Sequence, residues 1–275
     1  NETISQMSGK TSIPMMNPLS TEMAFLRTSL LPGLIQNADF NQKNGTTDIR
    51  LFELGNVHAK HGDSLGELEE SLILSCITTG NYISDSVHEK ALNQSVFTLK
   101  GILSQIIESH LGFRLVLKKS QTPGFDVSWE ININGKLVGY MGQISSSWLK
   151  NLDTDIESAF AFEFSFEAWK NMLKGKQTFK PIQTFPKVSR HLNFVMEESI
   201  RVGNVLDGIK KKAGKLLTNA EPVDIFRDSE LGKDMKSVTF FIEFQSPSKT
   251  LEDKDVNPII DEIIGFVSQQ YDAKL

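Results

Sequence analysis

The side chains here most able to do chemistry are five histidines, one cysteine and a few carboxylate groups. His58 and His61 stand three residues apart, but no third ligand has the spacing a tetrahedral metal site needs. Cys76 lies in the apolar stretch Leu72 to Ile77, so it is expected to be a buried, inert thiol rather than a nucleophile. A lone cysteine excludes a disulfide framework and a multi-thiolate metal centre. Glu67, Glu69 and Glu70 read as a solvated loop rather than an acid–base pair. There is no Gly-Lys-Ser/Thr phosphate loop and no Gly-x-Ser-x-Gly elbow. Gly139 and Gly142, three apart on an expected strand, suit close backbone packing better than phosphate binding. No catalytic residue emerges, and no metal site.

The 275 residues, 39% apolar and 23% charged, suit an ordinary globular chain of about two domains at roughly 150 residues each. No apolar run approaches the roughly 18 residues of a membrane span, so no membrane partner is expected. The chain begins Asn1-Glu2-Thr3, without an initiator Met or a signal-peptide pattern, and reads as a piece of a longer cytoplasmic protein. The net charge of −5 is unlike that of a purely electrostatic nucleic-acid binder. Locally the charge is polarised. Lys187 to Lys215 holds seven basic and three acidic residues, whereas Thr250 to Leu275 holds two basic and six acidic. That leaves room for a local anionic partner.

A polar break from Lys174 to Pro186 separates two domains, placed at 1–175 and 188–275 with a linker at 176–187. The first mixes helices with antiparallel strands. Ser20 or Thr21 is expected to cap a helix carrying Met23, Leu26, Leu30 and Leu31, with the chain restarting at Pro32. Strands are expected over 48–58, 71–79, 113–118, 128–132 and 137–144. Asn134-Gly135 makes a tight hairpin turn between the last two. Leu99, Ile102, Leu103, Ile106 and His110 recur at helical spacing, and Gly112 ends that helix. Phe160, Phe162, Phe164 and Phe166 alternate along a further strand. In the second domain, strands are expected at 188–196, 216–227 (broken near Pro222), 235–245 and 271–275. Val202, Val205, Leu206 and Ile209 mark one helix, stopped by Gly214. Val256, Ile259, Ile260, Ile263 and Val267 mark another, with Asn257 as cap and Pro258 in its first turn. The order β-α-β-β-α-β is the ferredoxin-like arrangement, so the fold class is α+β throughout.

Several segments, in order, resemble the β subunit of bacterial phenylalanyl-tRNA synthetase. They are Asn17 to Leu34 (NPLSTEMAFLRTSLLPGL), Leu51 to Val57 (LFELGNV), Leu137 to Ile144 (LVGYMGQI) and Phe160 to Phe164 (FAFEF). Phe185 to Leu192 (FPKVSRHL), Asp224 to Arg227 (DIFR), Lys236-Ser237 and Thr250-Leu251 resemble that subunit's ferredoxin-fold anticodon-binding domain. The resemblance spans essentially the whole chain; the subunit's tRNA-binding-like and editing modules would lie upstream. It implies a class II synthetase-like first domain that has lost its chemistry. Leu51-Phe52-Glu53 is followed by Leu54 and Gly55, without the arginine that would hold an ATP phosphate. The strand from Gly139 to Ile144 runs into Ser145, Ser146 and Ser147, again without one, so developing phosphate charge has no stabiliser. Such a domain would scaffold the catalytic α subunit of an α2β2 assembly that uses ATP and magnesium; this fragment itself would hold no cofactor. Arg27 is either an ordinary helix-face charge or part of that interface.

The resemblance also implies that the second domain grips the anticodon stem-loop of tRNA-Phe. Asp224 and Phe226 match a family aspartate and aromatic two residues apart, a spacing that puts both on one strand face. Phe226 would stack on a base and Asp224 would accept from a base N–H. The family usually has tyrosine at the Phe226 position. Ser237 matches a serine that hydrogen-bonds RNA. Lys187, Arg190, Arg227 and Lys236 are candidate phosphate contacts. His191 stands where the family commonly has aspartate. Without the resemblance, Phe226 reads as core, and Lys210 to Lys212 read as cations on a helix C-terminus. Two other readings remain open. One is a free-standing RNA-binding or scaffold protein derived from such a subunit. The other is an independent enzyme with a ferredoxin-like domain, such as an acyl-phosphate hydrolase, for which no arginine–asparagine phosphate cradle can be placed.

Overall fold

The computed structural model describes residues 13–20, 24–60, 68–110, 112–170 and 183–275. Thr21, Met23, His61, Glu67 and residues 176–182 of the expected linker lie outside them. The chain divides into two compact units, residues 1–176 and 177–275. No helix among the described residues is long and apolar enough to cross a membrane.

Unit 1 is built on a six-stranded sheet of β3 (Ile49–Lys60), β4 (Leu68–Thr79), β7 (Leu115–Ser120), β8 (Phe125–Ile133), β9 (Lys136–Ile144) and β10 (Phe160–Ser165). Its order is β3-β4-β10-β9-β8-β7, and every neighbouring pair is antiparallel. Two-stranded pairs formed by β1 (Ile13–Pro14) with β2 (Phe25–Leu26), and by β5 (Asn81–Ile83) with β6 (Leu92–Asn93), accompany it. Helix α1 (Leu31–Lys43) covers one face, burying Leu31, Leu34, Ile35 and Ala38 against Ile49, Ile77 and Ala161. Helix α2 (Val96–Ser104), continued by a π-helical turn over Gln105–His110, covers the other. There Leu99, Leu103 and Ile107 meet Cys76, Ile131, Met141, Phe160, Phe162 and Phe164. A sheet apolar on both faces must be covered twice, which is why unit 1 is a three-layer structure. Among the described residues, the remaining short helices are α3 (Ser146–Asn151) and α4 (Phe166–Lys170).

Three local expectations for this unit are corrected. Glu69 and Glu70 lie, exposed, on β4 and not in a loop, because they pair with Ala59 and His58 of β3. Leu26 belongs to β2, and the helix begins only at Leu31, with Pro32 in its first turn where a missing N–H is harmless. Its start is fixed from across the sheet: Glu163 accepts from Ser29 Oγ (2.9 Å) and Leu30 N (3.1 Å). Phe166 is not the last of the alternating phenylalanines but opens α4. The hairpin turn is as expected, with Asn134 at φ 50° and Gly135 at φ 77°.

Unit 2 contains β11 (Val188–Glu197), α5 (Val202–Ala213), β12 (Leu217–Phe226), β13 (Met235–Phe244) and α6 (Asp253–Tyr271). The sheet order is β11-β13-β12, all antiparallel. The expected last strand is reduced to one antiparallel bridge, Lys274 to Val195, on the free edge of β11. This is the ferredoxin-like arrangement with its fourth strand cut to a single pair. Leu192, Phe194, Met196, Val238, Phe240, Ile242 and Phe244 face the helices and meet Val205 and Ile209 of α5 and Val256, Ile260, Ile263 and Val267 of α6. The helix stripes are those the 3.6-residue period marks. Helix α6, however, begins more than a turn before the expected cap at Asn257. Glu252 and Asp255 form a reciprocal capping box, and Pro258 lies inside the helix.

Candidate nucleic-acid interface

Both helices of unit 2 pack on one side of its sheet, so the register of β11, β13 and β12 arranges the other side into rows. The first row is Val195, Ser237 and Phe226, extended by Lys274 through its bridge. The second is Asn193, Thr239 and Asp224. The third is His191, Phe241 and Glu221, and the fourth is Ser189, Glu243 and Asn219. A β-bulge between Pro222 and Asp224 sets this pattern on β12. Without the extra residue, Glu221 and Asp224 would point to opposite sides.

Phe226 is 53% exposed, and Asp224 beside it is exposed too. An aromatic ring left in water beside Ser237 and Asp224 offers a stacking surface, not core. Ser237, 7% exposed, donates to Asn193 Oδ1 at 2.5 Å and keeps lone pairs to accept. The rings of His191 and Phe241 lie 5.3 Å apart at 55°.

The expected phosphate contacts are not brought together. Arg190 pairs with Ile242 on the helix side of the sheet, and its guanidinium holds Asp253 in the first turn of α6 at 2.5 Å. Lys236 is 5% exposed, and its Nζ donates to the carbonyls of Glu198 and Ile200, both at 2.7 Å. Lys187 reaches Glu243 Oε2 at 2.7 Å. Arg227 forks onto Glu198 through Nε (2.9 Å) and Nη2 (2.8 Å), which raises the Arg227 pKa and lowers that of Glu198. Lys212 bonds Glu262 at 2.8 Å. The charge polarity of the C-terminal third is therefore partly internal, because its basic stretch binds its acidic one. Lys274 is a cation that the sequence reading did not single out. It is exposed, and its bridge places it in the row of Phe226.

Unit 1 carries a different polar array. Glu53, Ser75, Glu163, Tyr140, Glu130 and Lys118 are successive cross-strand partners over all six strands of its sheet. Arg27 does reach Glu53 (Nη1 to Oε1, 2.7 Å), but its Nε is also held by Asn56 O at 2.7 Å. It ties the segment before α1 to β3, so it sits on no helix face. A polar pocket of about 280 Å³ is lined by Gln42, Thr79, Asn93, Asp155 and Glu157, with carboxylates and, among the described residues, no lysine or arginine. A Cβ on Gly139 would lie 2.2 Å from Glu163 O, and one on Gly142 2.1 Å from Val127 O, so neighbouring strands fill the space a phosphate would need. Among the described residues no three His, Cys, Asp or Glu converge on a metal. These groups do not fit a magnesium–ATP complex. Cys76 is buried, and burial pushes its thiol up to about 11.

Family models and curated relatives agree on one family. Residues 1–166 match the family model for the phenylalanyl-tRNA synthetase beta chain CLM domain, and residues 183–275 match the ferredoxin-fold anticodon-binding domain. The chain is similar to the phenylalanine–tRNA ligase beta subunit of Coxiella burnetii, 32% identical over 273 residues, covering 96% of this chain and 33% of that one. It is also similar to the same subunit of Thermotoga maritima, 26% identical over 263 residues, covering 94% and 32%. It spans about a third of the length of these relatives. Taken with the two folds and their order, these matches place the chain in the phenylalanyl-tRNA synthetase beta chain family.

Proposed function

We propose that unit 2 binds the anticodon stem-loop of tRNA-Phe through its open sheet face, as part of a phenylalanine–tRNA ligase. The observation that carries this reading is the pairing of exposed Phe226 with Asp224 on a face that neither helix of the unit covers. A ring there stacks on an unstacked loop base, and the carboxylate beside it accepts from a base N–H. Ser237 accepts from the RNA. For Lys187 and Arg227 a phosphate must compete with the carboxylate each already holds, and Arg190 and Lys236 hold the fold instead.

Unit 1, the class II-like core assigned to 1–175, acts as a non-catalytic scaffold for the alpha subunit of an α2β2 enzyme in the cytoplasm. ATP and magnesium then belong to the alpha subunit. Phe52 and Leu54, 77% and 47% exposed on one face of edge strand β3, supply apolar surface for that contact.

The test is a titration of the chain with the tRNA-Phe anticodon stem-loop and with a stem-loop of replaced anticodon, alongside Phe226→Ala. Preference for the cognate loop, lost in the variant, is expected. Equal, weak, salt-sensitive binding of both loops would overturn the reading.

A further inference from the structure

We infer that His191 and Phe241 form a second base-stacking station on the open face of unit 2, taking a nucleobase that is not adjacent to the one on Phe226. The inference rests on the anticodon-loop reading above and adds to it a site of its own. Phe241 lies four residues along β13 from Ser237, the partner of Phe226, so the two aromatic stations are about 13 Å apart at 3.3 Å per residue. Two adjacent bases stacked directly on one another, about 3.4 Å apart along a strand, cannot cover both. A loop with its bases splayed out can.

The chemistry of the face selects a base over other occupants. His191 is exposed and Phe241 half-buried, with their rings 5.3 Å apart, so together they offer a tilted aromatic surface. The neighbours of this pair are polar. Glu221 completes its row, and Asn193, Thr239 and Asp224 form the row between the stations. Carboxylates at Glu221 and Asp224 repel a phosphate lying flat on the face, while they accept from the amino and imino groups of base edges. An aliphatic protein partner would meet hydrogen-bonding groups with nothing to bond. A neutral, flat, N–H-bearing ring satisfies both the aromatic and the acceptor groups.

The test uses the 275-residue chain and tRNA-Phe anticodon stem-loops carrying 2-aminopurine at one loop position at a time. Stacking on a side chain changes the emission of that base. Two responsive positions separated by at least one nucleotide are expected. Phe226→Ala should abolish the response at one, and His191→Ala the response at the other. Each variant should weaken binding roughly five- to 150-fold. His191→Phe, which keeps a ring, should restore the second response, which a merely structural role would not do. Thermal melts of all three variants check that the fold is intact. If Phe226→Ala weakens binding while His191→Ala leaves affinity and every emission unchanged, the second station is wrong and the anticodon reading stands. If the unsubstituted chain does not distinguish the cognate loop, both fall.

Discussion

Arg227 donates through two nitrogens to both carboxylate oxygens of Glu198, so the cation next to Phe226 is neutralised by its own chain. A phosphate approaching the first row of the open face must compete with that carboxylate. Both partners are largely exposed, so the fork is a weak restraint and not a lock. Glu198→Gln is expected to free Arg227, tighten stem-loop binding a few-fold and steepen the salt dependence by about one phosphate contact. Titrations at two salt concentrations check this. Unchanged affinity and slope would place Arg227 outside the RNA path.

Lys236 is expected to behave as a structural residue. Its ammonium satisfies the carbonyls of Glu198 and Ile200 from inside the fold. Lys236→Met should lower stability by about 1–3 kcal/mol, the range for leaving buried polar groups unpaired. Urea midpoints measure that loss. RNA affinity per folded molecule should barely move, whereas a phosphate contact would lower it.

Gly142→Ala should damage unit 1, because the new methyl would meet Val127 O at 2.1 Å and the Phe125 ring at 3.0 Å. Overpacking of this kind costs about 1–3 kcal/mol or more. The midpoint of the unit 1 denaturation transition should fall while stem-loop binding persists. A phosphate-cradling role would give the opposite pattern.

Unit 2 should lose stability in acid. Hydrogen bonds from Arg227 and Lys187 hold Glu198 and Glu243 below the usual 4.5, and Lys249 holds Asp255 below 3.8. A carboxyl with a lowered folded pKa contributes stability that is complete above its unfolded value and disappears as pH falls through the folded one. Urea midpoints should therefore hold down to about pH 5 and fall below it. Replacing Glu243 with glutamine should flatten that fall, and an unchanged slope would show that the Lys187 pair contributes nothing.

Much of unit 2 was legible because its periods are clean. Val205 and Ile209 lie on the expected stripe of α5, and Val238, Phe240, Ile242 and Phe244 on the buried face of β13. The same parity was available for two residues that the resemblance assigned to phosphate. Arg190 keeps step with Leu192 and Phe194, and Lys236 with Val238, so both had to point toward the helices. Other features depend on distant partners. The start of α1 answers to Glu163, 133 residues from Leu30, and no local window contains that bond. His191 and Phe241 come together only through the β11–β13 register. The bulge after Pro222 decides which way Asp224 points, and a proline announces a break in a strand without fixing its phase.

That bulge has a second effect. β12 is an outer strand, and Pro222 offers no N–H along it. A passing extended peptide would find the ladder interrupted where it would need to dock, and aligned copies of this chain would find the same interruption. The opposite margin is occupied at Val195 by Lys274. Unit 2 is thus guarded along β12 against growing into a larger sheet, whereas β11 is covered at Val195 alone among the described residues.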